Sequence, residues 1–252
     1  MIKEASRQAP SLIFEGMTSI SAVIKGQKRC IERIYFDKNK TKSKSKELSF
    51  LKHKANELDF TIEFVDDEYI ENLTTGNSHG GIIAQCTEYS IPSLTPENIS
   101  KDGFYVMIEG IEDPYNFGYA LRTIYAAGAD GVILTKRNWM SAAGVVCRSS
   151  AGASEMIQMF TEEGTTAADI FKDQGYTVAA AGIRNSVSAF ESDLKKPIFL
   201  IVGGEKRGIS ASLLEKADQI VRLDYGRDFN GSLSAASAAS ILAYEVLRQN
   251  LK

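Results

Sequence analysis

The sequence predicts an α/β protein built on a parallel sheet with helices on both faces, preceded by a smaller α/β domain. Two observations predict this fold class. From residue 104 onward, short apolar runs alternate with helical segments, and strands that are apolar almost throughout are typical of parallel sheets covered on both faces. Before residue 90, shorter strands surround one amphipathic helix. A length of 252 residues allows one large or two modest domains.

In the N-terminal third, residue spacing predicts one helix among three strands. Apolar residues recur within 46–58 at the spacing of a helix with one buried face. Strands are predicted at 31–36, 60–65 and 81–86. The segment YSIPSLTPENISKDG then contains two prolines and no periodicity, which predicts a linker. The predicted division is therefore a domain at 1–92, a linker at 93–102 and a domain at 103–252.

From Phe104 the pattern is strand, glycine-bearing loop and helix, repeated. The runs predicted as strands are 104–109, 130–135, 176–182, 198–204 and 219–223. The segments predicted as helices are 117–127, 141–148, 165–174, 210–216 and 232–250. Ligands of such sheets bind at the carboxyl ends of the strands, so we expect the functional site in the loops that follow these strands.

Composition excludes several classes of protein. With 44% hydrophobic and 24% charged residues, the chain is neither disordered nor fibrous. No run approaches 18 apolar residues and the N-terminus lacks the apolar core of a secretory signal, so no membrane association is expected. Three distant cysteines and two histidines argue against a metal site, and they fit a reducing, cytoplasmic setting.

The charge is segmented although its net value is only −3. Residues 1–60 carry 13 Lys and Arg against 7 Asp and Glu, whereas residues 61–112 carry 1 against 10. Five lysines in the basic part alternate with small polar residues: Lys38, Lys40, Lys42, Lys44 and Lys46. Two interpretations remain open, a solvated loop or a contact with the phosphate backbone of a nucleic acid.

The loop after the first predicted strand of the larger domain, EDPYNFGYALR, contains two candidate residues. Asn116 is a good N-cap for the helix that follows. Arg122 would lie near the same strand end if its side chain points back along the helix. The simpler alternative is that Asn116 only caps the helix and Arg122 is only a surface charge.

Two later loops have the composition of ligand-binding segments. VGGEKRGIS lets a ligand approach the backbone closely at its glycines and has Glu205 inside the turn. It is neither a P-loop nor a dinucleotide-binding fingerprint, because the required residues and spacing are absent. In the third loop, GSLS opens a helix rich in Ser and Ala, where free backbone N–H groups suit a ligand. Close core packing is the alternative for the rest of that helix.

Together these loops resemble the three motifs of the SpoU/TrmH family of S-adenosylmethionine-dependent RNA 2′-O-ribose methyltransferases, in the SPOUT class. The matching stretches are DPYNFGYALRTIYAAGADGVIL (113–134), FLIVGGEKRGIS (199–210), and IVRLDYG with SLSAASAA (220–226 and 232–239). CRSSAGASE (147–155) resembles the family's Ser-Ala-Gly segment, and HGGIIAQC (79–86) resembles the end of its substrate-binding domain.

The resemblance implies properties that periodicity does not address. These are a C-terminal trefoil knot, a homodimer with its active site near the subunit interface, and S-adenosylmethionine bound in the knot. The N-terminal domain would bind rRNA or tRNA through the five lysines. By motif position, the cofactor-binding residues would be Gly203, Leu223, Leu233 and Ser234. The catalytic residues would be Arg122, Asn116, Glu205 and Ser232, with no metal.

One position departs from the family pattern, which has Asn directly after Ser-Leu where this chain has Ser234. A hydroxyl is shorter and offers one donor where the amide offers two. Two alternatives to a 2′-O-methyltransferase therefore stay open. One is a SPOUT-fold RNA-binding protein with reduced or no catalysis, and the other is a methyltransferase that acts on a base nitrogen.

Overall fold

The computed structural model describes residues 12–74, 77–135, 142–204 and 207–251. These residues form two compact units. The first unit contains the described residues up to Ser90 together with 142–156. The second unit contains the described residues of 91–135 and 157–251. The segment between the first two predicted motifs thus packs with the N-terminal unit.

Strands and helices alternate along much of the described chain. The elements up to residue 86 are β1 (Leu12–Glu15), α1 (Gly16–Gly26), β2 (Ile31–Asp37), α2 (Ser45–Leu58), β3 (Thr61–Val65), α3 (Asp67–Glu71) and β4 (Ile82–Cys86). The elements from residue 104 are β5 (Phe104–Glu109), α4 (Pro114–Ala126), β6 (Gly131–Leu134), α5 (Ala143–Ser149), α6 (Ala153–Met156), β7 (Gln158–Thr161), α7 (Gly164–Asp173), β8 (Thr177–Ala181), β9 (Val187–Ser188), β10 (Ile198–Gly203), α8 (Ala211–Leu214), β11 (Gln219–Arg222) and α9 (Ala235–Asn250).

The N-terminal unit is built on a four-stranded mixed sheet in the order β1-β4-β2-β3. Strands β2 and β3 are parallel, and β4 runs antiparallel to both β1 and β2. Phe14, Phe36 and Leu51 are fully buried in its core. Glycine allows α1 to approach the segment that contains α6, because a Cβ on Gly26 would lie 2.0 Å from the Glu155 carbonyl oxygen.

A buried ion pair joins the two parts of this unit. Arg29 Nε lies 2.9 Å from Glu155 Oε2, and the two side chains are only 6% and 4% exposed. Each charge compensates the other where an isolated one would be strongly destabilising. Burial also raises the pKa of Cys147 nearby to about 12, so this thiol stays protonated and acts as a small apolar side chain.

The C-terminal unit contains a parallel sheet in the order β7-β6-β5-β10-β8-β11-β9, which confirms the predicted parallel sheet. Side chains alternate between its faces. Met107, Phe199 and Ile201 pack under α7 and α8, and the Phe199 ring stacks on Phe171 at 4.2 Å between centroids. The residues between them in β5 and β10, whose side chains point to the opposite face, are equally buried, so both faces of the sheet are covered. Helix α9 contacts β10 and packs along α4.

The end of the chain is inserted between segments that precede it. β11 lies between β8 and β9 and pairs with both, although β9 follows β8 directly in sequence. The segment between β9 and β10 then bonds the last turn of α9. Leu194 N donates to Gln249 Oε1 at 2.8 Å, and Lys196 N donates to Asn250 Oδ1 at 3.1 Å. Long-range side-chain bonds therefore fix the C-terminal helix.

The predicted elements are found within a few residues of their expected bounds, and the differences follow local chemistry. Residues 93–102, predicted as a linker, pack with the second unit, because Leu94 is buried and Ser93 forms a bridge with Thr161. The sequence reasoning missed β1, α1, α3, α6, β7 and β9. No helix within the described ranges is long and apolar enough to cross a bilayer.

Candidate active site

The loops predicted to hold the site lie at one edge of the parallel sheet. The register pairs Gly203 with Glu109 and Val221 with Ala181, so β5, β10, β8 and β11 end at the same edge. Both β10 and β11 bond to β8, which separates their backbones by about 10 Å. The three motif loops after β5, β10 and β11 are therefore brought together, as the sequence predicts.

The first loop leads into α4, and its cap differs from the expected one. We expected Asn116 to be the N-cap, but this expectation is wrong. Asp113 is the N-cap, and its carboxylate accepts from Asn116 N at 2.8 Å. Pro114 is the reason, because proline is favoured at the first helical position and its missing N–H needs no partner there. Asn116 lies half-buried in the first turn, at the same edge of the sheet.

Arg122 lies in the third turn of α4, about 12 Å of helix rise beyond Pro114. Its side chain is exposed, and it has no hydrogen-bond or ion-pair partner among the described residues. No described contact links it to Gly203, Leu223 or Leu233. The structure thus does not assemble Arg122 with the motif loops through contacts within this chain.

The loop after β10 is packed backbone against backbone. A Cβ on Gly204 would lie 2.6 Å from the Gly110 carbonyl oxygen and 2.7 Å from that of Glu109. A Cβ on Gly203 would lie 2.5 Å from the Gly208 carbonyl carbon. Gly208 N donates to the Gly204 carbonyl at 3.0 Å and closes the turn. No side chain therefore fits at Gly203, one of the predicted cofactor-binding residues. The predicted Glu205 lies outside the described residues.

Glu109 is a residue of this site that the sequence reasoning missed. Its Oε2 accepts from Ser210 N at 3.1 Å, and its Oε1 accepts from Ser210 Oγ at 3.2 Å. Ser210 is the N-cap of α8, so one carboxylate fastens the exit of the glycine loop to the end of β5. An acidic residue that ends an otherwise apolar strand was the signal that could have identified it.

The third loop begins at Leu223, which is half-buried directly after β11. Arg222 fixes the start of this loop, because it donates through Nε to Asp224 Oδ1 at 2.8 Å and through Nη1 to the Ser186 carbonyl at 2.7 Å. Hydrogen bonds from Ser188 and Arg222 hold the pKa of Asp224 below its ordinary value. Asp224 therefore stays ionised and paired.

The GSLS segment differs from the expected helix start. The predicted helix over 232–250 begins at Ala235 with Ser234 as its N-cap, which accepts from Ser237 N at 3.1 Å. Asn is an equally good N-cap, so Ser234 preserves this capping function. Leu233 N donates to Tyr225 Oη at 3.3 Å, so this N–H is already used. Ser232 is exposed at the mouth of the loop.

Three of the five predicted RNA-binding lysines are paired with carboxylates in the N-terminal unit. Lys38 Nζ lies 2.6 Å from Asp66, and Lys44 Nζ lies 3.8 Å from Glu47. Lys40 Nζ lies 3.4 Å from Asp37 and 3.6 Å from Asp67. Lys42 and Lys46 are exposed without an ion pair among the described residues. The positive field is smaller than the sequence suggests.

The groups at this edge of the sheet are suited to binding and orienting a ligand. The three motif loops, 110–113, 204–209 and 223–234, contain no cysteine or histidine. Among the described residues, no group of three or more His, Cys, Asp or Glu side chains is arranged to hold a metal ion. Main-chain groups, two close-packed glycines and a few polar side chains suit the binding and alignment of a reactive ligand better than nucleophilic attack by the protein.

Comparisons with known proteins agree with this geometry. The profile of the SpoU rRNA Methylase family matches residues 103–244. The profile described as RNA 2′-O ribose methyltransferase substrate binding matches residues 13–92. YacO of Bacillus subtilis, named for the TrmH family of tRNA/rRNA methyltransferases, is 26% identical over 93% of this chain and 94% of its own length.

Solved structures share the fold. The AdoMet-bound rRNA methyltransferase from Sinorhizobium meliloti superposes with a TM-score of 0.79 at 23% identity, over 96% of this chain and 88% of that one. The SpoU methyltransferase AviRb from Streptomyces viridochromogenes, in complex with AdoMet, gives 0.76 at 18% identity, over 95% and 90%. The resemblance inferred from the three motifs is confirmed, and the chain belongs to the SpoU rRNA methylase family.

Proposed function

We propose that this protein transfers a methyl group from S-adenosylmethionine to a ribose 2′-hydroxyl of rRNA or tRNA. The observation that carries the proposal is the set of three motif loops at one edge of the parallel sheet, with Gly203 and Gly204 packed backbone against backbone. The family membership of residues 103–244 supports the reaction class. The AdoMet-bound relatives of the same fold support the cofactor.

The residues present fit a nucleoside cofactor. Gly203 at the end of β10 is half-buried and has no side chain, and half-buried Leu223 and Leu233 supply apolar surface next to backbone polar groups. We assign cofactor binding to Gly203, Leu223, Leu233 and Ser234. Because Tyr225 already takes the Leu233 N–H, we assign to Leu233 its carbonyl oxygen. When bound, S-adenosylmethionine supplies a methyl group already activated on a sulfonium.

The protein must align the ribose hydroxyl and help it lose its proton. Arg122 cannot act as a base, because a guanidinium keeps its proton in proteins. We assign to it the orientation of the neighbouring RNA phosphate and the stabilisation of the developing alkoxide by charge-assisted hydrogen bonds. Asn116 and Ser232 would complete the polar set, with Glu205 holding the loop after β10.

A homodimer would give Arg122 its partners. Apolar side chains are exposed on α9, directly after α9 and in the segment after β9, namely Ile241, Tyr244, Leu251 and Phe190. They line a groove of about 680 Å³ that also includes Thr123, the neighbour of Arg122. Apolar surface of this kind marks interaction sites. We propose that a second copy covers it and that the active site forms near this interface.

We further propose that the C-terminal segment is threaded as a trefoil knot. The position of β11 between β8 and β9 supports this, as do the bonds from residues 192–196 to the end of α9. Such threading is rare among proteins, but it would hold the third motif rigidly against the second.

The N-terminal domain, residues 1–92, would select the RNA. The match of residues 13–92 to a substrate-binding profile supports this assignment. Among the five lysines, the exposed and unpaired Lys42 and Lys46 are the strongest candidates for phosphate contacts. Carboxylates beside Lys38, Lys40 and Lys44 reduce the attraction of these three for a polyanion.

The decisive experiment is methyl transfer from labelled S-adenosylmethionine to RNA from cells that lack this protein, followed by digestion to nucleosides. We expect the label in 2′-O-methyl nucleosides. Arg122→Ala should abolish turnover and leave cofactor affinity within a few-fold, whereas Lys172→Ala on α7 should change neither.

Other results contradict parts of the proposal. Label in a methylated base would assign base chemistry instead. Absence of transfer with retained RNA binding would favour an RNA-binding protein without catalysis. A collapse of cofactor affinity in Arg122→Ala would overturn the role given to that residue.

A further inference from the structure

The loop between β11 and α9 presents two aromatic side chains to solvent. Every residue from Asp224 to Gly231 is exposed. Tyr225 is 41% exposed and Phe229 is 55% exposed, and their rings meet edge to face with centroids 5.6 Å apart. An aromatic pair of this size is normally removed from water, so its exposure calls for a physical explanation.

The pair is held in place by specific contacts. Tyr225 Oη accepts a hydrogen bond from Leu233 N, which ties its ring to the start of α9. The Phe229 ring lies against the backbone of Gly231, because a Cβ at that position would come within 2.4 Å of Phe229 Cζ. Both contacts leave the rings accessible while restricting their motion. This arrangement reduces the entropy lost when a flat ligand stacks on them.

The charge of the loop favours a neutral ligand. Asp224 is neutralised by Arg222, and the exposed Arg227 is followed directly by Asp228. A phosphate would find little net positive charge here. Exposed aromatic rings instead offer a surface for a nucleobase, since every base has a π-face and bases in unpaired RNA stack on aromatic side chains.

We propose that Phe229, supported by Tyr225, stacks against the unpaired base of the nucleotide that is methylated, and so restricts the substrate to a nucleotide outside a duplex. The inference rests on the proposed function. Leu223 and Leu233 flank the loop, and we assign both to the cofactor. The reacting ribose must lie next to that cofactor, so the base it carries is within reach of the middle of the loop.

Two glycines of the same loop provide a matched test. Gly231→Ala displaces the Phe229 ring without altering it, whereas a Cβ on Gly226 meets nothing within 4 Å. We expect Gly231→Ala to weaken binding of a labelled single-stranded oligoadenylate about fivefold, and Gly226→Ala to leave it unchanged. Equal effects of the two substitutions would overturn the role of the ring.

Substitution of the ring itself separates the possible ligands. Phe229→Ala and Phe229→Leu should each weaken oligoadenylate binding and raise the KM for RNA by about tenfold. Both should leave the calorimetric Kd for S-adenosylmethionine unchanged. Leucine keeps the apolar volume of the side chain but lacks its π-face. Oligoadenylate binding by Phe229→Leu as tight as that of the wild-type protein would therefore overturn stacking. A matching loss of cofactor affinity would place the ring in the cofactor site instead.

The binding assay distinguishes this inference from the proposed function. If the wild-type protein transfers no methyl group but Phe229→Ala still weakens oligoadenylate binding, the result supports base stacking on Phe229 and rejects the proposed methyl transfer. If Phe229→Ala transfers methyl groups at the normal rate at limiting RNA, the result rejects base stacking on Phe229 and supports the proposed methyl transfer. Equal affinity of wild-type protein and Phe229→Ala for oligoadenylate would also reject stacking.

Discussion

Two loops at the same edge of the parallel sheet are built in opposite ways. The loop after β10 is compact, with Gly204 against the backbone of Glu109 and Gly110, and with its exit fastened by Glu109 to Ser210. The loop after β11 is open, and every residue from Asp224 to Gly231 faces solvent. We expect the compact loop to offer main-chain groups to a ligand and the projecting side chains of the open loop to select the substrate.

The difference between the compact loop after β10 and the open loop after β11 suggests a different role for each. In the first loop, Gly203 and Gly204 touch neighbouring backbone, so a side chain added at either position fits only if that backbone moves. The backbone of the second loop is fixed at both ends, by the Arg222 bond to the Ser186 carbonyl and by the bond from Leu233 N to Tyr225 Oη. The side chains between these two bonds are exposed, so they can be exchanged without disturbing the backbone. We therefore expect substitutions of the close-packed glycines in the first loop to act on stability and cofactor binding, and substitutions of the exposed aromatic side chains in the second to act on RNA.

The largest effect is expected from Gly204→Ala. The new methyl would meet carbonyl oxygens of β5 and the following residue, and these atoms cannot turn away as a side chain does. Overpacking of this kind costs about 3 kcal/mol, which we expect in the free energy of unfolding together with lost cofactor binding. Gly226→Ala is the control, and its free energy of unfolding should stay within about 0.5 kcal/mol of wild type. A stable Gly204→Ala protein with normal cofactor affinity would show that the first loop is not rigid.

An intermediate effect is expected from Glu109→Ala. The change removes both hydrogen bonds to Ser210 and leaves the N-cap of α8 without its carboxylate partner. We expect a loss of about 1 to 2 kcal/mol in the free energy of unfolding, measured by denaturant titration. Glu109→Gln retains one acceptor and should lose about half as much. If Ser210→Ala were more damaging than Glu109→Ala, the carboxylate would not be the element that fastens the loop.

The smallest effect is expected at the end of the open loop. Ser234→Ala removes the N-cap of α9 and should cost about 1 kcal/mol. Ser234→Asn retains a cap and should leave both stability and methyl-transfer rate within a few-fold of wild type. A large gain in rate from Ser234→Asn would mean that the serine limits catalysis in this chain, as the RNA-binding alternative requires.

Most of the fold follows from the sequence because its patterns are local. The apolar run at 104–109 is β5 residue for residue, and the helix predicted at 46–58 is α2 within one residue. β1 and β7 have four residues each, too few for periodicity to develop, and the equally short β6 and β11 were found only because each lies in a run recognised as apolar. Helix α1 was missed although five of its residues are buried, because its small polar residues obscure the apolar face.

The site was predicted only as far as its loops. The sequence placed the candidate residues after strands that end at one edge of the sheet, as parallel strands do. It did not reveal that Asp113 rather than Asn116 caps α4, or that Glu109 fastens Ser210. Both depend on which of several nearby polar groups reaches a given N–H. It also treated five alternating lysines as equivalent, and only their spatial neighbours distinguish Lys38 from Lys42.

By itself, the sequence determined the fold class, the family and the set of loops expected to form the site, because hydrophobic periodicity and motif order are properties of the chain. Only the tertiary structure decided which glycines touch backbone, which carboxylates neutralise lysines, and that Tyr225 and Phe229 remain exposed side by side. These outcomes depend on distances between residues remote in sequence or across a turn, and packing sets those distances.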